Sequence, residues 1–283
     1  MTDDNRAKGK YSSATFLLQV LITIAAILFF APVLMIINYS FKTKRELYLG
    51  SPLALPESLN LDNYISAYNK LDLATTFTNT LFYTVSSVAL LVILCGAAGW
   101  AIARRKEQFF RFSYYYILIG ILIPYQALFL PIYIIGFRTG LTNTRLGIIL
   151  MYVATGFSFG VFLMTSFMTT VPLELEESAR IDGCSVYRTY FTIVMPLLKP
   201  AVATLAIMLS FQIWNDYLMA NLFLSSKKLK TLTVAMQALF SQQTSDYTTA
   251  LAAIVVSVLP VVILFVSLQK YFVKGMTAGA LKG

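Results

Sequence analysis

The sequence predicts an all-α membrane protein with six transmembrane helices. Of its 283 residues, 58% are hydrophobic and only 12% are charged, whereas soluble domains contain roughly a quarter charged residues. Lipid rather than water is therefore expected to contact much of the surface. Several long runs contain no charged residue, and each exceeds the roughly 20 apolar residues that cross a bilayer as a helix. These runs cover residues 11–41, 73–103, 112–137, 146–173 and 247–269.

We assign one span to each uncharged run and a further span to the apolar segment near 200–224, which Asp216 interrupts. The first run is too long for a signal-peptide core and is not followed by a small-residue cleavage site, so it predicts a retained helix. We expect one membrane domain over 1–283, with a five-span core over 76–272 and tails at 1–10 and 273–283. The predicted spans are 14–38, 76–103, 113–136, 147–169, 200–223 and 249–272.

The positions of Lys and Arg favour cytoplasmic termini. With both termini inside, thirteen of these residues lie on the cytoplasmic side and nine outside, as the positive-inside rule requires. The run Arg104-Arg105-Lys106, directly after a span, is the best single anchor. Anionic headgroups attract basic flanks, which explains the net charge of +9. No nucleic-acid partner is predicted, because such binding needs a basic face on a soluble fold.

Composition excludes several kinds of active site. The chain has two cysteines and no histidine, so a metal site built on Cys and His lacks ligands. Neither a Ser–His nor a Cys–His catalytic pair can form. No Gly-rich loop ending in Lys-Ser or Lys-Thr is present, so the chain is not expected to bind ATP by that route. We therefore predict a non-catalytic protein without a cofactor of its own.

Three segments are predicted outside the membrane. The longest, 39–72, contains Pro52 and Pro56 and is expected to form short helices. Residues 136–146 form a short hairpin between two spans. The third segment, 225–247, is basic at its start, apolar over 232–240 and polar at its end.

A charged, amphipathic segment lies between two spans at 171–200, and we call it the 171–200 loop. Pro172 suits the first turn of a helix, and Gly183 can end that helix in a left-handed conformation. Ser185 can cap a second helix, which Pro196 and Pro200 would bound. The residues alone leave two interpretations open. The loop is either an interfacial hairpin that connects two spans or a docking element for a partner protein.

The spacing within this loop resembles a known motif. The run Glu177-Ser178-Ala179 is followed after three residues by Gly183, and nine residues later by Ile193-Val194-Met195-Pro196. This pattern is similar to the cytoplasmic EAA loop of ABC-importer permeases, in which the membrane subunit contacts its ATPase. Ser178 and Met195 depart from the usual alanine and leucine, but both are similar in size to the residues they replace.

The resemblance extends beyond the loop. The run 179–183, Ala-Arg-Ile-Asp-Gly, is similar to the version in carbohydrate-uptake permeases of the maltose type. The run 211–216, Phe-Gln-Ile-Trp-Asn-Asp, resembles the fifth-span signature of that family. The ending 275–283 resembles the tail of the second permease of the pair. The resemblance implies the type I importer fold.

The resemblance also implies partners and residue roles. A homologous permease would form a heterodimer with this chain, two ATPase subunits would bind ATP and Mg²⁺, and an extracytoplasmic sugar-binding protein would dock on the other side. Segment 225–247 would face that binding protein. The anions Glu177 and Asp182 would face basic residues of the ATPase. The implied ATPase contacts are Glu177, Ser178, Ala179, Ile181, Asp182, Gly183, Ile193 and Pro196, together with Gly275, Ala278, Gly279 and Lys282 of the tail.

Four residues are candidates for a translocation path. A carboxylate within a span is costly and usually faces a cavity or a partner, so Asp216 could line the sugar path. It could equally have a structural role or reach water at the end of its span. Trp214 and Asn215 adjoin it, and Asn79 could form a hydrogen bond between helices.

The predicted function is that of a sugar-importing permease subunit in a bacterial cytoplasmic membrane, with an oligosaccharide as the expected solute. One alternative keeps this architecture but transports another solute, such as a phosphorylated polyol or a peptide. A second alternative is a secondary transporter that works alone, although the broken helices in two related halves that characterise that class are not evident. A membrane-embedded enzyme is disfavoured because no catalytic group is visible.

Overall fold

The computed structural model describes residues 13–241 and 246–280, and all of its regular elements in these ranges are helical. Single turns of 3₁₀ helix connect some of the elements, and a π-helical turn covers Tyr190–Val194. The α-helices are α1 (Ser13–Ser40), α2 (Lys44–Leu49), α3 (Asp62–Lys70), α4 (Leu73–Arg104), α5 (Gln108–Leu122), α6 (Phe129–Arg138), α7 (Arg145–Met168), α8 (Leu173–Ile181), α9 (Val186–Thr189), α10 (Met195–Leu197), α11 (Lys199–Trp214), α12 (Leu218–Phe223), α13 (Leu232–Ser241) and α14 (Tyr247–Ala280).

Within residues 13–241 and 246–280, four helices are long and apolar enough to cross a membrane, and two bent helix pairs bring the number to six if each pair is one span. The all-helical membrane fold is thus confirmed. The third predicted span, 113–136, is not straight, because the chain bends by 92° between α5 and the segment that begins at Tyr125. Ile123 is extended before Pro124, as steric contact with a following proline favours.

The fifth predicted span, 200–223, is also interrupted. Helix α11 ends at Trp214, and α12 begins only at Leu218. At its other end, α11 meets the segment Val186–Leu197 at an angle of 74°. Pro196 does not end the preceding helix as predicted. It lies within α10, directly after the π-helical turn, which suits a residue that has no N–H for the helical ladder.

The chain divides into two units that are described separately, residues 1–67 with 246–255 and residues 68–245 with 256–283. In the second unit, α4 packs along α7, and α11 packs against both. Their close approach depends on small residues, as in many membrane helix pairs. A Cβ atom at Gly160 of α7 would lie only 2.5 Å from Sγ of Cys95 on α4, so a larger residue would separate the two helices.

In the first unit, the predicted external segment forms short helices, as expected, around a buried lysine. Lys42 is 1% exposed. Its ammonium group donates to the Ser51 carbonyl at 3.2 Å and lies 4.8 Å from the centre of the Tyr39 ring. The Asn63 amide donates to the carbonyls of Ser40 and Lys42 at 2.8 and 2.9 Å. These bonds hold the start of α3 against the end of α1.

The carboxylate of Glu46 in α2 forms a set of hydrogen bonds that we expect to be sensitive to acid. Its carboxylate accepts the N–H of Glu57, the hydroxyl of Thr43 and the N–H of Thr43, each at 2.7 Å. These bonds lower its pKa from 4.5 to about 2. A lowered pKa means that the carboxylate stabilises the fold fully above pH 4.5, and that this contribution is lost as pH falls towards 2. Carbon-13 NMR of the labelled carboxyl should therefore show titration near pH 2.

The Thr43→Val variant is the control for this titration. It removes the hydroxyl that donates to the Glu46 carboxylate and that also caps α2 by accepting the Glu46 N–H at 3.3 Å. The two backbone N–H donors remain, so the pKa of Glu46 should rise part of the way towards its ordinary value. A wild-type titration midpoint near pH 4.5 would contradict the hydrogen-bond network.

Candidate functional site

The 171–200 loop forms a helical hairpin, and its turns follow the predicted residues. Helix α8 begins directly after Pro172, with Glu174 and Glu176 in its first turn. It ends at Ile181, and the turn that follows contains Gly183, which has a φ of +79°. The N–H of Cys184 bonds the Ala179 carbonyl at 2.9 Å, as in a Schellman C-cap. A side chain at Gly183 would be strained, because the left-handed region suits residues without a Cβ atom.

The second half of the hairpin starts at the predicted cap. The Ser185 hydroxyl accepts the N–H of Arg188 at 3.3 Å, which caps α9. The chain then passes through the π-helical turn and α10 into α11. The second half of the hairpin, Val186–Leu197, therefore forms with Lys199–Trp214 one of the two bent pairs that are apolar enough to cross a membrane if each is one span.

The outer surface of the hairpin combines carboxylates with exposed apolar side chains. Ile181 is 86% exposed and Tyr187 is 79% exposed. Soluble surfaces rarely present such residues in a group unless they bind something. Of the predicted ATPase contacts, Glu177, Ser178, Ile181, Asp182, Gly183 and Pro196 are exposed, Ile193 is half-buried, and Ala179 is buried.

The inner surface of α8 is fixed to α4 by a carboxylate that sequence reasoning did not select. The side chain of Glu176 is 6% exposed. It accepts the Trp100 indole N–H at 3.0 Å and the Arg104 Nε–H at 2.7 Å. A second guanidinium nitrogen of Arg104 donates to the Val171 carbonyl at 2.8 Å. The available signal was spacing, since Glu176 lies three residues before the small residue Ala179 and therefore on the same face of α8.

A second cluster surrounds Asp216 in the break between α11 and α12. The Asp216 carboxylate accepts the Tyr152 hydroxyl at 2.9 Å. It also accepts the N–H groups of Met219 at 3.3 Å and Ala220 at 2.9 Å. One carboxylate therefore connects α7 with the first turn of α12.

This carboxylate lies in the wall of a cavity of about 260 Å³. Its wall contains aromatic rings, amides and hydroxyls. Such groups can stack on polar cyclic molecules and form hydrogen bonds with them. Polar or aromatic lining residues are Tyr125, Tyr152, Thr155, Gln212, Asn215, Asp216 and Tyr217.

The structure brings only two of the four path candidates to this cavity. Asn215 and Asp216 line it. Asn79 is 3% exposed, and its amide donates to the carbonyls of Lys228 and Lys230. The Trp214 indole donates to the Ser257 carbonyl at 3.0 Å. In the described part of the chain, both residues thus hold segments together away from the cavity wall.

The predicted tail contacts lie at the chain end. Gly275, Ala278 and Gly279 fall within the last turns of α14. Lys282 lies outside the described residues.

Comparison with known proteins agrees with these observations. Residues 96–278 match the family described as "Binding-protein-dependent transport system inner membrane component". The chain is 37% identical to the probable starch degradation products transport system permease protein AmyC of Thermoanaerobacterium thermosulfurigenes, covering 94% of this chain and 97% of the relative. It is 35% identical to the melibiose/raffinose/stachyose import permease protein MelC of Bacillus subtilis, covering 94% and 96%.

A solved structure shows the same fold. It is the crystal structure of a bacterial ABC transporter involved in the import of the acidic polysaccharide alginate. The TM-score is 0.83 at 25% identity, with 93% of this chain and 99% of that chain covered. These matches confirm the resemblance found in the 171–200 loop, and the chain belongs to the family of binding-protein-dependent inner membrane transport components, the multi-pass permease subunits of ABC importers.

Proposed function

We propose that this chain is the second permease of a heterodimeric, ATP-driven importer that takes up oligosaccharides. The observation that supports this most directly is the outer surface of the 171–200 loop, where Glu177 and Asp182 flank the exposed Ile181. Such a surface on a rigid hairpin suits insertion into a groove of a partner protein. Two relatives are named for starch degradation products and for melibiose, raffinose and stachyose, which favours an oligosaccharide.

The chain supplies no catalysis in this proposal. Two ATPase subunits bind ATP and Mg²⁺ below the permease pair. One of them docks on the 171–200 loop of this chain, and the tail that contains Gly275, Ala278, Gly279 and Lys282 reaches the interface of the ATPase dimer. Both termini lie in the cytoplasm. ATP binding closes the ATPase dimer and displaces the loop, and packed helices then change between discrete arrangements rather than bend continuously.

The cavity beside Asp216 is the proposed path on the opposite side of the membrane. The extracytoplasmic binding protein docks over segment 225–247. Near the start of this segment, Lys228 and Lys230 are bonded to Asn79 of α4, and the Leu229 carbonyl accepts the Tyr83 hydroxyl at 3.0 Å. In this proposal the Asn215 amide donates hydrogen bonds to sugar hydroxyls and accepts them, and the Asp216 carboxylate accepts them.

Replacement of Glu177 by alanine tests the ATPase contact. We would reconstitute the permease pair, the ATPase and the binding protein in proteoliposomes, and measure ATP hydrolysis and uptake with a panel of oligosaccharides. ATP hydrolysis by the wild-type complex should increase when the binding protein carries one or more of these oligosaccharides. The Glu177→Ala complex should lose about thirty-fold in uptake, because truncating one partner of a partly buried interfacial charge pair costs about 2 kcal/mol or more.

Glu107→Ala is the matched control, since Glu107 is an exposed carboxylate paired with Arg105 at the surface. Its uptake should stay within about two-fold of wild type. Uptake that proceeds without the ATPase and is unchanged in Glu177→Ala would instead indicate a transporter that works alone. Stimulation by a peptide or a phosphorylated polyol, and by no sugar, would retain the architecture and overturn the proposed substrate.

A further inference from the structure

Trp100 stands at the junction between α4 and both halves of the 171–200 loop. Its indole N–H donates to Glu176 of α8 at 3.0 Å. Its ring also lies against the ring of Tyr190, with the two centroids 5.1 Å apart. One side chain on α4 thus contacts the first helix of the hairpin through a hydrogen bond and the second through an aromatic contact.

Tyr190 also enters a notch on α4. It is 6% exposed, and its hydroxyl reaches Gly96, one turn before Trp100. A Cβ atom at Gly96 would lie 2.5 Å from that hydroxyl oxygen, so only glycine leaves room for the ring at this depth. Gly96 and Trp100 are four residues apart and therefore share one face of α4.

We propose that Gly96, Trp100 and Arg104 form a clamp that makes the 171–200 loop and the end of α4 move as one rigid body. This inference rests on the proposed function, because it concerns the route by which ATPase movement enters the membrane domain. The hairpin is joined to α11 by the chain itself. The clamp adds a second route through α4, the helix that packs along α7.

The three clamp residues recur every four positions along α4 and engage the hairpin at three levels. Gly96 receives Tyr190, Trp100 contacts both Tyr190 and Glu176, and Arg104 binds Glu176 and the start of the loop at Val171. A single contact would act as a pivot, whereas contacts at three levels oppose both sliding and rotation. Glu176 and Trp100 are accordingly positioning residues that act through the exposed ATPase contacts on α8.

The clamp can be tested with spin labels on the intact transporter in liposomes. Cys184 is a native label site in the hairpin, and Lys106→Cys, an exposed position just beyond α4, provides the second site. Cys95 is fully buried and would stay unlabelled. The distance between the labels is measured without nucleotide and with ATP and Mg²⁺. Trp100→Phe removes the hydrogen bond to Glu176, and Gly96→Ala fills the notch while improving helix propensity.

In the wild-type protein we expect one narrow distance that changes by no more than about 2 Å between the two conditions. Both variants should broaden it, and the amount of sugar transported per ATP should fall by roughly two- to thirty-fold. Trp214→Phe is the matched control, because it also removes one indole hydrogen bond in the second unit. It should leave the distance distribution unchanged.

A wild-type distance that shifts by about 5 Å with ATP would mean that the hairpin slides along α4 by a helical turn, and would overturn the clamp. Variants with distributions as narrow as wild type would also overturn it. The width measured without nucleotide does not depend on the transported solute or on hydrolysis. If the proposed function is wrong, no sugar will stimulate ATP hydrolysis by the wild-type complex. The width of the distance distribution will still show whether the clamp exists.

Discussion

Arg104→Ala is expected to lower the free energy of unfolding by about 3–5 kcal/mol, because it leaves the Glu176 carboxylate buried without its cation. The side chains of Arg104 and Glu176 are 17% and 6% exposed, and their Nε and Oε1 atoms are 2.7 Å apart. The same substitution also removes the donor to the Val171 carbonyl. Thermal unfolding of the purified permease pair in detergent would measure the loss.

Arg105→Ala provides a control one residue away. Arg105 pairs with Glu107 at 3.4 Å, and the two side chains are 63% and 56% exposed. Exposed pairs contribute about 0–1 kcal/mol, so this variant should unfold close to the wild-type temperature. Equal effects of Arg104→Ala and Arg105→Ala would show that the Glu176 pair is not buried in the protein.

The double variant Arg104→Met with Glu176→Met separates the cost of an unpaired charge from the value of the pair. Replacing both charges with apolar side chains is often neutral, so most of the lost stability should return. Sugar transport per ATP should remain low in this variant, because the hydrogen bond from Trp100 is also absent. If stability recovers but the amount of sugar transported per ATP does not, Glu176 positions the loop for transport in addition to stabilising the fold.

Asp216→Ala is expected to lower both stability and uptake. The substitution removes the acceptor of three donors, the Tyr152 hydroxyl and the N–H groups of Met219 and Ala220. Since a buried donor left without a partner costs about 1–3 kcal/mol, we expect a loss of about 3 kcal/mol or more. Uptake should fall further than stability alone explains, because the same side chain lines the cavity.

Two milder variants divide the roles of this carboxylate. Tyr152→Phe removes one donor and leaves Asp216 in place, so a cost of about 1 kcal/mol is expected. Asp216→Asn keeps one carbonyl oxygen and should give an intermediate loss. Measuring uptake at saturating and limiting liganded binding protein would complete the series. Normal uptake by a folded Asp216→Ala protein would exclude this residue from the path.

Local features of the fold were predictable because their causes are local. The charge-free runs predicted the membrane helices, since the length of an apolar run decides whether a helix can cross a bilayer. Within the 171–200 loop, the left-handed turn at Gly183 and the cap at Ser185 occur where the sequence places them. Both depend on backbone geometry within a few residues.

The helix breaks within the third and fifth predicted spans could not be predicted from the sequence. Pro124 and the Asn215–Asp216 run lie within the predicted spans 113–136 and 200–223, and the hydropathy of a run does not show whether its helix is bent or broken. Whether a proline or a polar pair bends a span depends on what neighbouring helices offer to its freed backbone groups. The Asp216 carboxylate, for example, bonds two N–H groups of α12 and the Tyr152 hydroxyl of α7.

Glu176 and Glu177 show which properties of this protein follow from the sequence alone and which depend on tertiary packing. By itself the sequence determined the membrane class, the helical hairpin and the motif that includes Glu177. It did not show that Glu177 faces outward while Glu176 is buried against Trp100 and Arg104, more than 70 positions earlier in the chain. Two adjacent carboxylates are chemically identical, and only the packing of α8 against α4 decides which one remains free for a partner and which one is neutralised within the fold.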